Sequence, residues 1–129
     1  TTPVNARLDA ALGAAAFILA ARDLVLKDYP DCVVNIGQAH FEPGAFNIVP
    51  RRATLALEFR GGDAQRMSLL EMDLLKTARK QADLHGLLVE AELLSVEQPA
   101  RMSERMQQAI ESAARALGLS HTRLPSSAW

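Results

Sequence analysis

One cysteine, one tryptophan and one tyrosine are the whole supply of those residues in 129 positions. With Cys32 alone, no intrachain disulfide and no cysteine-based metal cluster can form. Net charge is as scarce: 14 basic against 15 acidic residues leave a formal charge of -1. That balance argues against nucleic acid as a partner, because binding it needs a concentrated basic face. Aromatics make up 5% of the chain, too few for the stacking platform of an RNA-binding sheet. The longest apolar-rich run, around Ala10 to Leu26, is interrupted by Arg22 and Asp23. It is too polar at its ends for a bilayer span and carries no cleavable-signal pattern, so no membrane partner is expected. Low-complexity tracts and internal repeats are missing too. The expectation is a cytoplasmic globular chain of one domain, residues 1–129, long enough to bury roughly two-thirds of its unfolded surface.

The sequence is organised around Gly37-Gln-Ala-His-Phe-Glu-Pro-Gly-Ala-Phe-Asn-Ile-Val-Pro50 and the strand that follows it. Val33 to Ile36 begin an extended run rich in β-branched residues, expected from Cys32 to about His40. Pro43-Gly44 reads as a turn, the proline presetting φ and the glycine supplying a positive φ. Ala53 to Arg60 alternates: Leu55, Leu57 and Phe59 point one way, Thr54, Ala56, Glu58 and Arg60 the other. Two side chains on this hairpin-like unit suit a ligand. Asn47 can both donate and accept hydrogen bonds, and Arg60 offers a planar fork that matches a carboxylate.

Helices flank the hairpin. The first is expected to be capped at Thr2 or Asn5, with Leu8, Leu12, Ala15, Ala16, Leu19 and Leu26 as its apolar face, and to end at Tyr29-Pro30. The second starts at Asp63, or at the box Ser68-Leu-Leu-Glu71, and turns Met67, Leu70, Leu74, Leu75, Ala78 and Ala82 inward. Gly86 stops it. Leu87 to Val96 alternates and reads as a third strand, ended by Gln98-Pro99. A third helix runs from near Ser103 to Gly118, with Met106, Ile110, Ala113 and Leu117 on one face.

The order is α-β-β-α-β-α, an α+β class. A strand placed before residue 1 would complete β-α-β-β-α-β, a ferredoxin-like two-layer sandwich with an antiparallel sheet and helices on one face. Without that strand the sheet keeps an open edge, and open edges recruit partners, so a homodimer is expected.

Four segments carry a family resemblance. Thr1-Thr-Pro-Val-Asn-Ala-Arg-Leu-Asp-Ala10 resembles the Thr-Thr-Pro-Met-x-x-Arg-x-Asp-Ala motif of the N-carbamoyl-L-amino-acid hydrolase, β-ureidopropionase and allantoate amidohydrolase family, within the aminoacylase/carboxypeptidase-like metallohydrolases. Glu42-Pro-Gly-Ala-Phe-Asn-Ile-Val-Pro50 resembles its Glu-Pro-Gly-x-x-Asn-x-Ile-Pro segment, and Leu57-Glu-Phe-Arg60 its strand ending in Asp-x-Arg. Leu124-Pro-Ser-Ser-Ala128 is similar to a Pro-Ser-Gly-Ala that precedes a His-Asp-Ala motif. The sequence departs from these patterns at Val4, Arg51, Glu58 and Ser127.

The resemblance implies a fragment: the lid, or dimerisation, domain of a larger two-domain amidohydrolase that cleaves linear amide or ureido C–N bonds. It implies two divalent metal ions, zinc, manganese or similar, in a separate catalytic domain, and none in this chain. It implies Asn47 and Arg60 as substrate-binding residues, with Arg60 on the carboxylate of a small substrate. No catalytic residue and no activity are expected from the 129 residues alone; the partners expected are the protein's own catalytic domain and a second copy.

His40, His85 and His121 are 45 and 36 positions apart, which matches no local zinc spacing, so they read as surface residues. Glu90, Glu92 and Glu97 read as a solvated face, and Cys32 as a small buried hydrophobe. Two other classes compete: an RNA-binding sheet, disfavoured by the few aromatics and the lack of a basic cluster beside them, and a stand-alone ligand-sensing or dimerisation module of the same shape, which leaves the Thr-Thr-Pro and Asn-x-Val-Pro motifs unexplained.

Overall fold

The structure, a computed structural model, describes residues 2–98 and 100–124. The chain divides into two compact units, Thr1–Val96 and Glu97–Trp129. The fold is α+β, with three α-helices and one two-stranded antiparallel sheet among the described residues.

In the first unit a short 3-10 turn, Val4–Ala6, follows Pro3. Helix α1 then spans Ala10–Asp28. Its cap is neither Thr2 nor Asn5 but Asp9, whose carboxylate accepts from the Ala11 and Leu12 amides at 2.9 and 3.3 Å. The extra turn fixed by Pro3 moves the start of the helix six residues on from Val4. The buried face differs from the leucine stripe expected. Ala10, Gly13, Ala14, Ala21 and Val25 are buried, whereas Leu8, Leu12, Leu19 and Leu26 are exposed. Small side chains let the helix axis approach its neighbours closely, and that requirement outweighs the size of the leucines in choosing which face turns in.

Strand β1, Val33–Glu42, pairs antiparallel with strand β2, Arg52–Arg60. The expected bounds hold within two residues. Helix α2, Ala64–Leu84, is capped by Asp63, which accepts from the Arg66 amide at 2.7 Å. Ser68 plays no cap; its hydroxyl donates to the Ala64 carbonyl inside the helix. At the far end Gly86 has φ +67°, Leu87 N–H donates to the Ala82 carbonyl and Gly86 N–H to that of Asp83. This is a Schellman stop that only a residue at ease with positive φ closes cheaply.

The core lies between the two helices and one face of the hairpin. Ala21, Val25, Tyr29, Cys32, Leu70 and Leu74 form a buried cluster, on which Phe17, Leu24, Val34, Ile36, Leu57, Phe59 and Met67 pack. Leu57 and Phe59 therefore face α1 and α2, as the alternation required, and Glu58 and Arg60 point from the opposite side of β2, away from that core.

Leu87 to Val96 does not form the third strand. Among the described residues it pairs with nothing, and Leu88, Val89, Leu93, Leu94 and Val96 stand exposed. In a split β-α-β arrangement the last strand pairs with the first, and no strand precedes α1 among the described residues. The alternation that marks a strand is present, but the ladder that makes one is not.

In the second unit helix α3, Glu104–Ala116, starts after Ser103 and stops where Gly118 has φ +68°. Arg123 returns along it and donates to Glu104 and Glu111. Met106, Ile110 and Leu117 are exposed. Pro99, which was expected to end a strand, and Pro125 to Ala128 of the tail motif lie outside the described residues.

Candidate functional site

Arg60 is the last residue of β2, followed by Gly61-Gly62 and the cap of α2. Its Nη2 donates to Glu58 Oε2 at 2.7 Å, and the two side chains are equally half-exposed. Residues two apart on a strand share a face, so this bond needs no bend of the backbone. The hydrogen bond to Glu58 holds the guanidinium above its ordinary pKa. Across the hairpin, Val33 pairs with Arg60 and Asn35 with Glu58. The face turned away from α1 and α2 thus presents Arg60, Glu58 and Asn35 at this end.

Asn47 lies in the turn-rich loop between the strands. Gly44 takes the positive φ expected of it, +76°. Ile48 N–H donates to the Ala45 carbonyl at 3.2 Å, and Arg51 N–H to that of Glu42 at 2.9 Å. Ala10 N–H donates to the Pro50 carbonyl at 3.0 Å, which ties the loop to the first turn of α1. Phe46, Asn47 and Ile48 are all exposed. The loop is built to display Asn47, and its anchoring at Pro50 places it at the N-terminal end of α1.

Arg60 sits at the other end. Its partner Val33 follows the C-terminal end of α1, where Cys32 N–H donates to the Tyr29 carbonyl. The eight residue steps of β2 from Arg52 to Arg60 span about 27 Å. Both candidates are on one hairpin, as the sequence implied, but the structure does not bring them together.

A feature that alternation missed is a bulge between Ile36 and Gln38. Strict alternation from Val34 and Ile36 would turn Gln38 and His40 toward the helices. The extra residue, Gly37, shifts the phase, so Gln38 faces with Ala56 and His40 with Thr54 on the side away from α1 and α2. The signal was a glycine inside a strand run. His40 and His121 are exposed and His85 half-buried; Glu90, Glu92 and Glu97 are exposed as expected. Among the described residues no three His, Cys, Asp or Glu side chains come together as a metal would need. The donor set present does not fit a dinuclear metal site.

No protein-family model matches the chain. It is 32% identical over 128 residues to an uncharacterized hydrolase of Haemophilus influenzae, covering 98% of this chain and 31% of that protein. It is 23% identical to the N-carbamoyl-L-amino-acid amidohydrolase of Rhizobium meliloti, covering 99% of this chain and 31% of that enzyme. The crystal structure of an amidase of the hydantoinase/carbamoylase family from Burkholderia phymatum superposes with a TM-score of 0.84 at 33% identity, covering all of this chain and 33% of that one. The chain therefore corresponds, over its whole length, to one segment of amidohydrolases of the carbamoylase type, and spans about a third of the relatives it matches.

Proposed function

We propose that this chain, the counterpart of one segment of the hydantoinase/carbamoylase amidohydrolases, is the substrate-binding and dimerisation lid of a larger enzyme. That enzyme hydrolyses the C–N bond of a linear amide or ureido compound bearing a carboxylate, in the cytoplasm. The carrying observation is Arg60, a half-exposed guanidinium at the end of a strand, on the face turned away from the core that α1 and α2 form. A guanidinium presents paired donors in one plane, which match the two oxygens of a carboxylate. Asn47 supplies an amide that donates and accepts, suited to the amide or ureido group at the other end of such a molecule.

The separation of Asn47 from Arg60 shapes the reading. A single small substrate cannot span β2, so one chain cannot offer both residues to one molecule. A two-fold dimer of lids solves this: each site takes Arg60 from one protomer and Asn47 from its partner. The hairpin supplies an edge for that pairing, since β1 has only β2 beside it among the described residues.

The divalent metals implied by the family resemblance would be held by the remainder of the enzyme, where they would activate the attacking water. What this chain's own residues do is bind the carboxylate, orient the scissile bond and, on closing, keep bulk water out. The experiment is an assay of the full-length protein against an N-carbamoyl α-amino acid, an N-carbamoyl β-amino acid and allantoate. Hydrolysis of one of them, with none by the 129-residue chain, is the expected result. Failure on all three with divalent metal supplied would refute the substrate class.

A further inference from the structure

Glu58 lies two positions before Arg60, at a place where the related motif carries a shorter acid, and the ligand reading above leaves it unused. Its Oε2 accepts from Arg60 Nη2 at 2.7 Å. Behind it, on β1, stands Asn35, its cross-strand partner. Asn35 is exposed and lies beside the bulge: a Cβ added at Gly37 would meet the Asn35 Nδ2 at 3.4 Å, ordinary contact distance.

We propose that Glu58 is a positioning residue for substrate binding: it fixes the plane of the Arg60 guanidinium so that the fork meets an incoming carboxylate already oriented. This deepens the lid reading and rests on it. Arg carries several rotatable bonds, and locking them before binding removes an ordering cost that would otherwise fall on each binding event. A glutamate on the same strand, on the same face, does this at fixed geometry. It also places a negative charge beside the substrate carboxylate, which a lone electrostatic trap would avoid. The arrangement gives up raw attraction for orientation: a carboxylate that approaches at the wrong angle meets Glu58's charge without gaining the fork. Glu58 therefore also selects for a planar carboxylate over other anions.

The test uses the full-length enzyme and four variants: Glu58→Ala, Glu58→Gln, Glu58→Asp and Arg60→Ala. Glu58→Ala should raise KM by on the order of ten-fold with kcat and the thermal midpoint little changed. Glu58→Gln, which keeps an acceptor for Nη2, should restore part of the loss. Glu58→Asp should stay within a few-fold of the wild type. Inhibition by a small monocarboxylate should weaken in Glu58→Ala, while inhibition by inorganic sulfate should not. An unchanged or lowered KM in Glu58→Ala would overturn the proposal, making Glu58 a bystander or a competitor for Arg60. A thermal midpoint that falls in step with activity would overturn it too, as would no rescue by Glu58→Gln. Arg60→Ala separates the two levels. If it leaves KM untouched, the lid reading itself fails; if it raises KM while Glu58→Ala does not, only the positioning role fails.

Discussion

The Tyr29 hydroxyl donates to the Asp73 carboxylate at 2.6 Å, tying the residue that ends α1 to the middle of α2. Arg66 lies over the Tyr29 ring, 5.3 Å from its centroid, and donates to the Asp28 carbonyl. The chain's single tyrosine is thus the point at which both helices are locked beside the hairpin.

That lock has a pH signature. The bond to Asp73, with burial and the aspartate's charge, pushes the Tyr29 hydroxyl up from 10.0 to about 12. A group whose folded pKa is raised stabilises the fold fully below its unfolded pKa and loses that contribution as pH rises through the folded value. Wild-type stability should fall between about pH 10 and pH 12. Tyr29→Phe should melt several degrees lower at neutral pH and lose this part of the alkaline decline. Thermal melts of both proteins at pH 7 and pH 11 check it.

Leu70 is fully buried in the core cluster. Leu70→Ala removes its side chain and leaves a cavity between α1 and α2, which should cost about 2–5 kcal/mol. Urea denaturation reads the loss as a lower midpoint at unchanged slope.

Gly61 follows Arg60 directly, and a Cβ there would lie 2.6 Å from Met67 Sδ and 3.0 Å from Cys32 Sγ. Met67 can swing aside, but Cys32 is buried at the start of the hairpin. Gly61→Ala should therefore destabilise by roughly 1–3 kcal/mol. Gly62→Ala, which meets nothing within 4 Å, should be close to neutral. The pair of melts distinguishes crowding from a general cost of losing a glycine.

What the sequence showed and what it hid follow from how local each signal is. The hairpin, α2 and α3 were legible because their periodicity, caps and stop glycines lie within a few residues of each other. Asp63, Ser103, Gly86 and Gly118 fall where the expectation put them. The buried face of α1 was not legible. Its leucines fit a helical stripe as well as its alanines do, and only tertiary approach decides between them. Leu87 to Val96 alternates like a strand, yet a strand needs a ladder, and ladder partners are non-local. The bulge at Gly37 shows the same limit in reverse: one glycine reversed the faces of Gln38 and His40. Asn47 and Arg60 were legible as residue types in a motif. Their separation by the length of β2 was implicit in the strand bounds, since Asn47 precedes the strand and Arg60 ends it.

That placement makes a prediction about subunits. If each site draws Arg60 from one protomer and Asn47 from the other, mixing full-length Asn47→Ala with Arg60→Ala should recover activity. Each mixed dimer would contain one intact site and one doubly defective site, so a re-equilibrated equal mixture should regain roughly a quarter of wild-type activity. Residues acting within one chain would give no recovery, because every site would then lack one of them.

The central claim is that Arg60 holds the carboxylate of the substrate. It is tested most directly by kcat/KM of full-length Arg60→Lys and Arg60→Ala on a carboxylate-bearing ureido substrate, each measured beside its thermal midpoint. Lysine keeps the charge but not the planar fork, so its loss should be marked, and alanine's larger, roughly thirty- to three-thousand-fold. The midpoint should stay near that of the wild type, because Arg60 points from the face the core does not use. Wild-type kcat/KM in Arg60→Ala, or a loss of activity that merely follows a loss of stability, would contradict the account.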